Sequence, residues 1–543
     1  MMDGVRTAIV GAMLATGLAA CDQRDDYPER AFDEGQERQL RFGNESEPKT
    51  LDPNLSTLVP EARVISALFQ GLVDMDPAGN FIPGQAESWV ISEDGLIYTF
   101  TVRQGLQWSD GTPITAHDFV YGLRRVIDPK LAAEFASFYY PIENGAAVGR
   151  GELPPEALGV EALSDDVLQV TLERPKPSLI ELFSHASSYP APRHVIERVG
   201  QREWLKPEHI VSNGAYVLKS WVVGDRIEIE KNPLFHAADT VEIDRVFYYP
   251  TENTEAAFNR FRAGELDVDS SFPLSRVDWL NKNMPQAMRV EPQYGVYFYT
   301  VNTTRPPFDD ARVRRALAMA IDREVITRTI MRDIGFLPAY SFVPPLLPSY
   351  QTPPDGQPWQ SISFEGRVEL ARSLLAELGY GPDNPLAFDL SYNTSEEHRQ
   401  IAVAVAKMWE AIGVKVTLSN TEFPVHDENM KNGLYDVARR GWVSTFDSPE
   451  YFLNILHTNA IPLNAARYSN PQFDRLLDEA LRLPRVADRV ALMRQAEELM
   501  LADMPVIPVF FYANRQLVAP YVTGWVDNPT GRHRIRFLGF SSS

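Results

Sequence analysis

Residues 86–121 read AESWVISEDGLIYTFTVRQGLQWSDGTPITAHDFVY, the stretch with the strongest structural pattern in the chain. Apolar side chains alternate with threonines between Tyr98 and Val102, a pattern typical of a strand with one buried face. Asp110–Gly111 then indicates a turn. Thr115 is a suitable N-cap for a helix over Asp118–Val126, whose apolar residues fall on one side. The stretch therefore predicts a strand, a turn and an amphipathic helix in succession.

Short strands and helices continue to alternate towards the C-terminus. Apolar periodicity predicts helices over 310–331, 397–412, 473–483 and 489–502. Strands are predicted at Val414–Leu418 and Val506–Phe511. We expect the helix over 310–331 to be continuous, with its arginines on the face opposite its apolar stripe. The predicted fold class is therefore α/β, or mixed α+β.

The bulk composition excludes some classes of protein. The chain has 543 residues, of which 44% are hydrophobic, so it is long enough to form two or three lobes with cores of their own. Its formal net charge is −21. Because no basic surplus is present to neutralise phosphates, we expect no nucleic-acid partner.

The N-terminus has the pattern of an export signal. Met1–Ala20 carries one positive charge and then a run of small and apolar residues, which predicts a signal peptide. The run ends at Cys21, the single cysteine of the chain, in a sequence that resembles the lipobox of bacterial lipoproteins. Residues 21–38 would then be a lipid-anchor tether. We expect an extracytoplasmic (periplasmic) protein that is lipid-anchored, with Asp22 favouring the outer leaflet of the inner membrane; the alternative is an ordinary signal peptide with a chance cysteine.

Motifs for catalysis and for metal binding are missing from the sequence. It contains no G-x-x-x-x-G-K-[ST] loop, no G-x-G-x-x-G and no G-x-S-x-G elbow. The nine histidines are scattered, and one cysteine cannot build a multi-thiolate site. We therefore expect neither enzyme activity nor a cofactor nor a metal.

The stretch Arg439–Pro449 concentrates groups suited to ligand binding. It contains two arginines, a tryptophan, hydroxyl side chains and Asp447. An arginine donates two parallel hydrogen bonds to a carboxylate, and Trp442 offers a flat apolar surface with one N–H donor. One interpretation is a surface loop with a half-buried tryptophan. The other is a strand-end loop that faces a cleft holding a zwitterionic ligand.

Several segments together resemble the extracytoplasmic oligopeptide-binding proteins of ABC importers, the peptide/nickel class of solute-binding proteins. The resemblance extends from Gln39 to Phe537. The segments that carry it are Ala86–Tyr121, Asn213–Val223 (NGAYVLKSWVV), Pro306–Leu317 (PPFDDARVRRAL), Ala320–Arg323, Leu337–Tyr340, Arg439–Pro449 and Pro505–Tyr512.

The resemblance implies a periplasmic-binding-protein-like fold with two jaws and an additional third lobe. Lobe I would comprise residues 31–69, 193–294 and 512–543. Lobe II would comprise residues 70–192, and lobe III residues 295–511. Lobes I and III would close on the ligand by a hinge motion.

The resemblance also implies ligand contacts. Ser56–Val59, with Thr57 and Val59, and Val437–Val443 would form hydrogen bonds to the peptide main chain, and Ser270 would line the cleft. Arg439 and His398 would contact the ligand carboxylate, and Trp442 would lie in the cleft. At the other end, the family has an aspartate and a tyrosine that contact the ligand ammonium. This sequence has Thr445 and Phe135 at those two positions. Asp447, two residues on, is an alternative ammonium partner. The family's cysteine pair is replaced by Gly295 and Val443.

These features predict a monomeric receptor that captures oligopeptides and delivers them to the permease subunits of an ABC transporter. Because the family aspartate is absent, a second interpretation is a receptor for a murein peptide, an N-modified peptide, an opine or a metal chelate. A chaperone, a signalling lipoprotein or an enzyme on this scaffold is the alternative from another class.

Overall fold

In the computed structural model, which describes residues 35–351, 354, 356–444, 446–461 and 463–541, two long strands run side by side through the largest sheet. They are Met288–Val301 and Val506–Val518, and they pair in antiparallel orientation. The predicted signal peptide, Cys21 and Thr445 lie outside the described residues.

The strands are β1 (Gln39–Gly43), β2 (Val73–Met75), β3 (Phe81–Pro83), β4 (Ala86–Ile91), β5 (Ile97–Val102), β6 (Val160–Ser164), β7 (Val167–Thr171), β8 (Tyr216–Val222), β9 (Arg226–Lys231), β10 (Arg245–Tyr249), β11 (Val268–Asp269), β12 (Met288–Val301), β13 (Leu337–Pro338), β14 (Ala387–Asn393), β15 (Lys415–Thr421), β16 (Val437–Val443), β17 (Val506–Val518), β18 (Val522–Thr523) and β19 (Gly539–Phe540). The large sheet has the order β15-β14-β16-β12-β17-β11-β1-β10-β9-β8, and β13 also pairs with β17. A separate four-stranded sheet has the order β4-β5-β7-β6.

The helices are α1 (Val59–Leu68), α2 (Ala116–Ile127), α3 (Gly145–Gly149), α4 (Leu179–Leu182), α5 (Arg193–Val199), α6 (Thr254–Arg262), α7 (Val277–Asn283), α8 (Ala311–Met319), α9 (Arg323–Val325), α10 (Phe364–Glu377), α11 (Glu396–Glu410), α12 (Phe423–Lys431), α13 (Glu450–Leu453), α14 (Pro471–Ala480) and α15 (Val486–Asp503). Parallel and antiparallel strand pairs occur within the large sheet, and helices lie between strands along the chain. The predicted mixed α/β class is confirmed. The lobe boundaries stay a prediction.

The prediction of one continuous helix over 310–331 is wrong. Helix α8 ends at Met319, α9 begins at Arg323, and a π-helical turn follows over Ile326–Ile330. The guanidinium of Arg323 is buried and donates to the carbonyl oxygens of Ala318 at 3.0 Å and Ile321 at 3.2 Å. These bonds satisfy carbonyl groups that the break leaves without a helical partner.

The expectation that the arginines of this segment face away from the core is also wrong for two of them. Arg314 is 5% exposed and donates to the carbonyl oxygens of Phe308 at 2.6 Å and Met504 at 3.2 Å. Arg323 is 1% exposed and also donates to the carbonyl of Ala339 at 2.7 Å. Both side chains therefore link the helix to distant main-chain segments, because a guanidinium offers five donors in fixed directions.

Among the described residues, the structure contains no helix that combines the length and the hydrophobicity of a membrane span.

Candidate ligand-binding cleft

A cleft of about 310 Å³ opens where segments from distant parts of the chain meet. One wall is formed by Ser56–Val59 at the start of α1. Another wall is formed by Phe135 and the segment Ser184–Ala186. The C-terminal segment Thr530–Arg534 closes a third side, and side chains of β12, β16 and β17 form the floor. The walls of the cleft therefore come from parts of the chain that the predicted lobe boundaries assign to different lobes.

The floor is one continuous face of three neighbouring strands. Side chains alternate between the two faces of a strand, so residues two apart share a face. The residues that share this face of the sheet are Gln293, Gly295 and Tyr297 of β12, Arg439, Gly441 and Val443 of β16, and Tyr512, Asn514 and Gln516 of β17. Of these, Gln293, Val443, Asn514 and Gln516 line the cleft. Gly441 leaves room on this face, because a Cβ there would lie 2.5 Å from the hydroxyl of Tyr512.

The predicted replacement of a family cysteine pair fits the observed register. Gly295 and Val443 lie directly opposite each other on β12 and β16. A Cβ added at Gly295 would meet Cγ2 of Val443 at 2.9 Å. The two positions are therefore cross-strand neighbours at the edge of the cleft floor.

Arg439 lies on this face of the sheet but, like His398, is not among the described residues that line the cleft itself, and it has no acidic partner among them. Its guanidinium donates to Asn393 Oδ1 at 3.0 Å and to the hydroxyl of Tyr512 at 2.7 Å, and it lies 4.8 Å from the ring centre of Tyr297. In the described part of the chain no carboxylate forms an ion pair with it, and its Nε has no hydrogen-bond partner. A half-buried, uncompensated guanidinium is suited to an external carboxylate.

His398, at the start of α11, is the second residue predicted at the carboxylate end. Its ring lies 5.6 Å from the ring of Tyr297, the same tyrosine on which Arg439 stacks. Burial, and then the charge of Arg439, together lower the pKa of His398 to about 2. The imidazole is therefore neutral at pH 7, and its Nδ1 is buried without a partner among the described residues. The structure brings these two predicted residues together around one tyrosine.

Thr57, Val59 and Ser270 all line the cleft. Ser56–Val59 does not form the predicted strand-like edge, because Val59 already begins α1. The N–H of Thr57 donates to Glu61 Oε2 at 2.9 Å, so that donor is not open to a ligand. Ser270 donates its hydroxyl to the carbonyl of Gly43 at 2.8 Å.

Trp442 lies on the other face of β16. Its indole N–H donates to the carbonyl of Tyr451 at 2.7 Å, and its ring packs against an apolar core beneath the sheet. Arg440 also points to that side and donates to the carbonyl of Leu463 at 2.6 Å. Arg439 and Arg440 thus point to opposite faces of the strand. Trp442 is not among the described residues that line the cleft.

Asp447 lies in a smaller cavity of about 170 Å³, away from the main cleft. Its carboxylate accepts hydrogen bonds from the N–H and the hydroxyl of Ser349, at 3.0 and 2.8 Å. The N–H of Asp447 donates to Glu181 Oε2 at 2.9 Å. Burial, and then the charge of Asp447, raise the pKa of Glu181 to about 8. Asp447 therefore holds together the segments that contain Ser349 and Glu181, and it is not among the described residues that line the cleft.

The end of the cleft beyond Val443 holds residues that sequence reasoning missed. Phe135, predicted here, does line the cleft, and its ring lies 4.9 Å from that of His185. Arg532 and Arg534 line the same end. The signal that would have found them is the basic segment 531–536, GRHRIR, in a chain of net charge −21. No group of three or more potential metal ligands is clustered within the described ranges.

Comparison with known proteins agrees with this architecture. Residues 80–462 match the family described as "Bacterial extracellular solute-binding proteins, family 5 Middle". The periplasmic oligopeptide-binding protein OppA of Salmonella typhimurium is 38% identical over 527 residues, which cover 96% of this chain and 94% of that protein.

Two solved structures are similar over nearly their whole length. Haemophilus influenzae OppA in complex with RPPGFSPFR is 34% identical, with a TM-score of 0.83 over 93% of this chain and 99% of that chain. The murein tripeptide binding protein MppA of Escherichia coli is 35% identical, with a TM-score of 0.85 over the same shares of the two chains.

Proposed function

Because the chain belongs to the bacterial extracellular solute-binding proteins of family 5, we propose that it captures oligopeptides in the cleft and delivers them to the permease of an ABC transporter. Members of this family are binding proteins. In this proposal the chain binds the peptide, closes around it and docks on the permease. Oligopeptide-binding relatives that match nearly the full chain support the ligand class.

The observation that carries the proposal is the guanidinium of Arg439, which has no carboxylate partner among the described residues and lies on the same strand face as the cleft-lining Val443. It is held by Asn393, Tyr512 and Tyr297 rather than by a carboxylate. Val443 lies four residues after Arg439 on β16, which is a distance of about 14 Å at the usual rise of a strand. An extended peptide of about four residues spans that length. Arg439 can then bind its terminal carboxylate.

Tetra-alanine is the simplest probe of this proposal. Calorimetry should detect its binding to the wild-type protein, and small-angle scattering should report compaction when the probe saturates the cleft, because the jaws close on it. Tetra-alanine amide, which lacks the terminal charge, is the matched control. Absence of heat and of compaction with every free-acid peptide tested, from two to six residues, would exclude the proposal.

The proposal includes a lipid anchor. A small-residue run that ends at Cys21 and a polar segment after it support acylation of that cysteine, and the periplasmic relatives support an extracytoplasmic location. Asp22 favours retention at the inner membrane. The receptor would then be a monomer tethered close to its permease.

A receptor for an N-modified or murein peptide is the second candidate. Phe135 in the cleft wall carries no hydroxyl, and Thr445 carries no charge, so neither compensates a desolvated ammonium. The similarity to a murein tripeptide binding protein is in keeping with this candidate.

A further inference from the structure

The lining of the cleft is basic, in contrast to the chain as a whole. Among the described residues that line it, the charged side chains other than histidines are Arg63, Arg532, Arg534 and one carboxylate, Glu45, whereas the whole chain carries a net charge of −21. Arg63 has Glu45 at 3.8 Å, and Arg534 has Asp74 at 3.1 Å. The positive surplus of the cleft therefore comes from Arg532.

Arg532 is an uncompensated charge. Among the described residues, none places a carboxylate within ion-pair distance of its guanidinium, and none accepts a hydrogen bond from it. Burial, and then the charge of Arg534, lower the pKa of Arg532 to about 10, so the side chain is still charged at neutral pH. A half-buried cation without a partner is unfavourable until an anion binds beside it.

His185 adds a neutral donor at the same place. The N–H of Ser187 donates to His185 Nδ1 at 3.2 Å, so Nδ1 acts as the acceptor. Burial lowers the pKa of this imidazole to about 3, with Arg532 adding to the effect, and the ring is neutral. The single ring proton is therefore on Nε2, which has no acceptor within the described part of the chain.

These two donors lie at the end of the cleft opposite Arg439. The ring of His185 lies 4.9 Å from Phe135 and 6.0 Å from Phe446, the neighbour of position 445. Val443, the last residue of β16, lines the cleft between Arg439 and this end. Phe135 is a position where the family resemblance implies a tyrosine for the ligand ammonium, and the cleft beside it holds donors for an anion instead.

We propose that Arg532 and His185 form an anion subsite that takes a carboxylate carried at the amino-terminal end of the bound peptide. The inference rests on the proposed peptide-binding function and narrows its substrate class to peptides that are anionic at both ends. The carboxylate is that of an acidic N-acyl group or of an acidic first side chain. In both cases the guanidinium gains the charged hydrogen-bonding partner that the protein does not provide.

Four probes of one length distinguish these cases: tetra-alanine, N-acetyl-tetra-alanine, N-succinyl-tetra-alanine and Asp-Ala-Ala-Ala. Calorimetry on wild type should give N-succinyl-tetra-alanine an affinity at least roughly tenfold above that of the neutral N-acetyl probe. If the carboxylate at the subsite is instead the side chain of the first residue, the affinity for Asp-Ala-Ala-Ala should exceed that for tetra-alanine by a similar factor. Either preference supports the subsite, and the stronger preference identifies which group supplies the carboxylate.

Variants at the subsite assign the preference to Arg532. Arg532→Gln should reduce the ratio of the affinities for the N-succinyl and N-acetyl probes to within about twofold, and Arg532→Lys should retain most of this ratio. Arg440→Gln, whose side chain faces away from the cleft, is the matched control and should keep the wild-type ratio. Thermal melts without ligand check that each variant folds.

Two results would overturn the subsite while leaving peptide binding intact. One is a wild-type affinity ratio near one both for N-succinyl- over N-acetyl-tetra-alanine and for Asp-Ala-Ala-Ala over tetra-alanine. The other is an equal loss of affinity for the charged and the neutral probes in Arg532→Gln. Failure of all four probes to bind wild type would instead remove the proposed function, and the subsite with it.

Discussion

The exchange Arg439→Gln removes the charge that we assign to the peptide carboxylate and keeps a polar side chain of similar length. The guanidinium is already held by Asn393 and Tyr512 and stacked on Tyr297, so little side-chain entropy is lost when a ligand binds. Two unit charges 4 Å apart attract by about 4 kcal/mol at an effective dielectric constant of about 20. Desolvation of the ligand carboxylate offsets part of this. We therefore expect a loss of about 2–4 kcal/mol, or about 30- to 1000-fold in Kd.

Calorimetry with two probes turns this into a double-mutant cycle. Tetra-alanine and tetra-alanine amide are titrated into wild type, Arg439→Gln and Arg440→Gln. Amidation should weaken binding strongly in wild type and in Arg440→Gln, whose side chain donates to Leu463 on the other face. In Arg439→Gln amidation should have little effect, because the charge that senses it is gone. An equal cost of amidation in all three proteins would refute the assignment, as would equal losses in the two variants.

Three further predictions concern other parts of the chain. Cys21→Ser should move the protein from the membrane to the soluble extracytoplasmic fraction, as followed by fractionation and immunoblotting; continued membrane association would contradict the anchor. Thr445→Asp should restore a preference for tetra-alanine over its N-acetyl derivative in calorimetry, since it supplies a charge for the ammonium, and an unchanged preference would place the amino terminus elsewhere. Glu181, whose pKa is raised by burial and by Asp447 to about 8, binds a proton in the folded state between about pH 4.3 and 8 that the unfolded chain releases. Stability should therefore fall as pH rises through this window, and Glu181→Gln should have a flatter melting temperature between pH 5 and 8.5; parallel curves for the two proteins would contradict it.

Local periodicity predicted many elements of the fold correctly. The alternation at Tyr98–Val102 lies within β5, and the apolar stripe over 397–412 matches α11 closely. Such patterns depend on which face of an element is buried, and the sequence records this directly. The break between α8 and α9 could not be predicted in this way. It depends on the buried guanidinium of Arg323 and its bonds to carbonyls, one of which belongs to Ala339 in another segment.

The candidate site was predicted unevenly for the same reason. Arg439 and His398 were expected together from the family resemblance, and the structure places both against Tyr297. Arg532 was missed because its lack of a partner is a property of the folded chain. Trp442 looked equally suited to a ligand, yet strand alternation turns it towards the core, where its N–H binds the carbonyl of Tyr451.

Identification of the natural ligand tests the central claim most directly. The protein would be purified without denaturation from the cells that produce it, weighed intact by native mass spectrometry, and its bound molecule released and fragmented. We predict an amide-linked chain of about four amino acids with a free terminal carboxylate and a second acidic group at the opposite end. A bound molecule that contains no amide-linked amino acids, such as a metal chelate, would contradict the account.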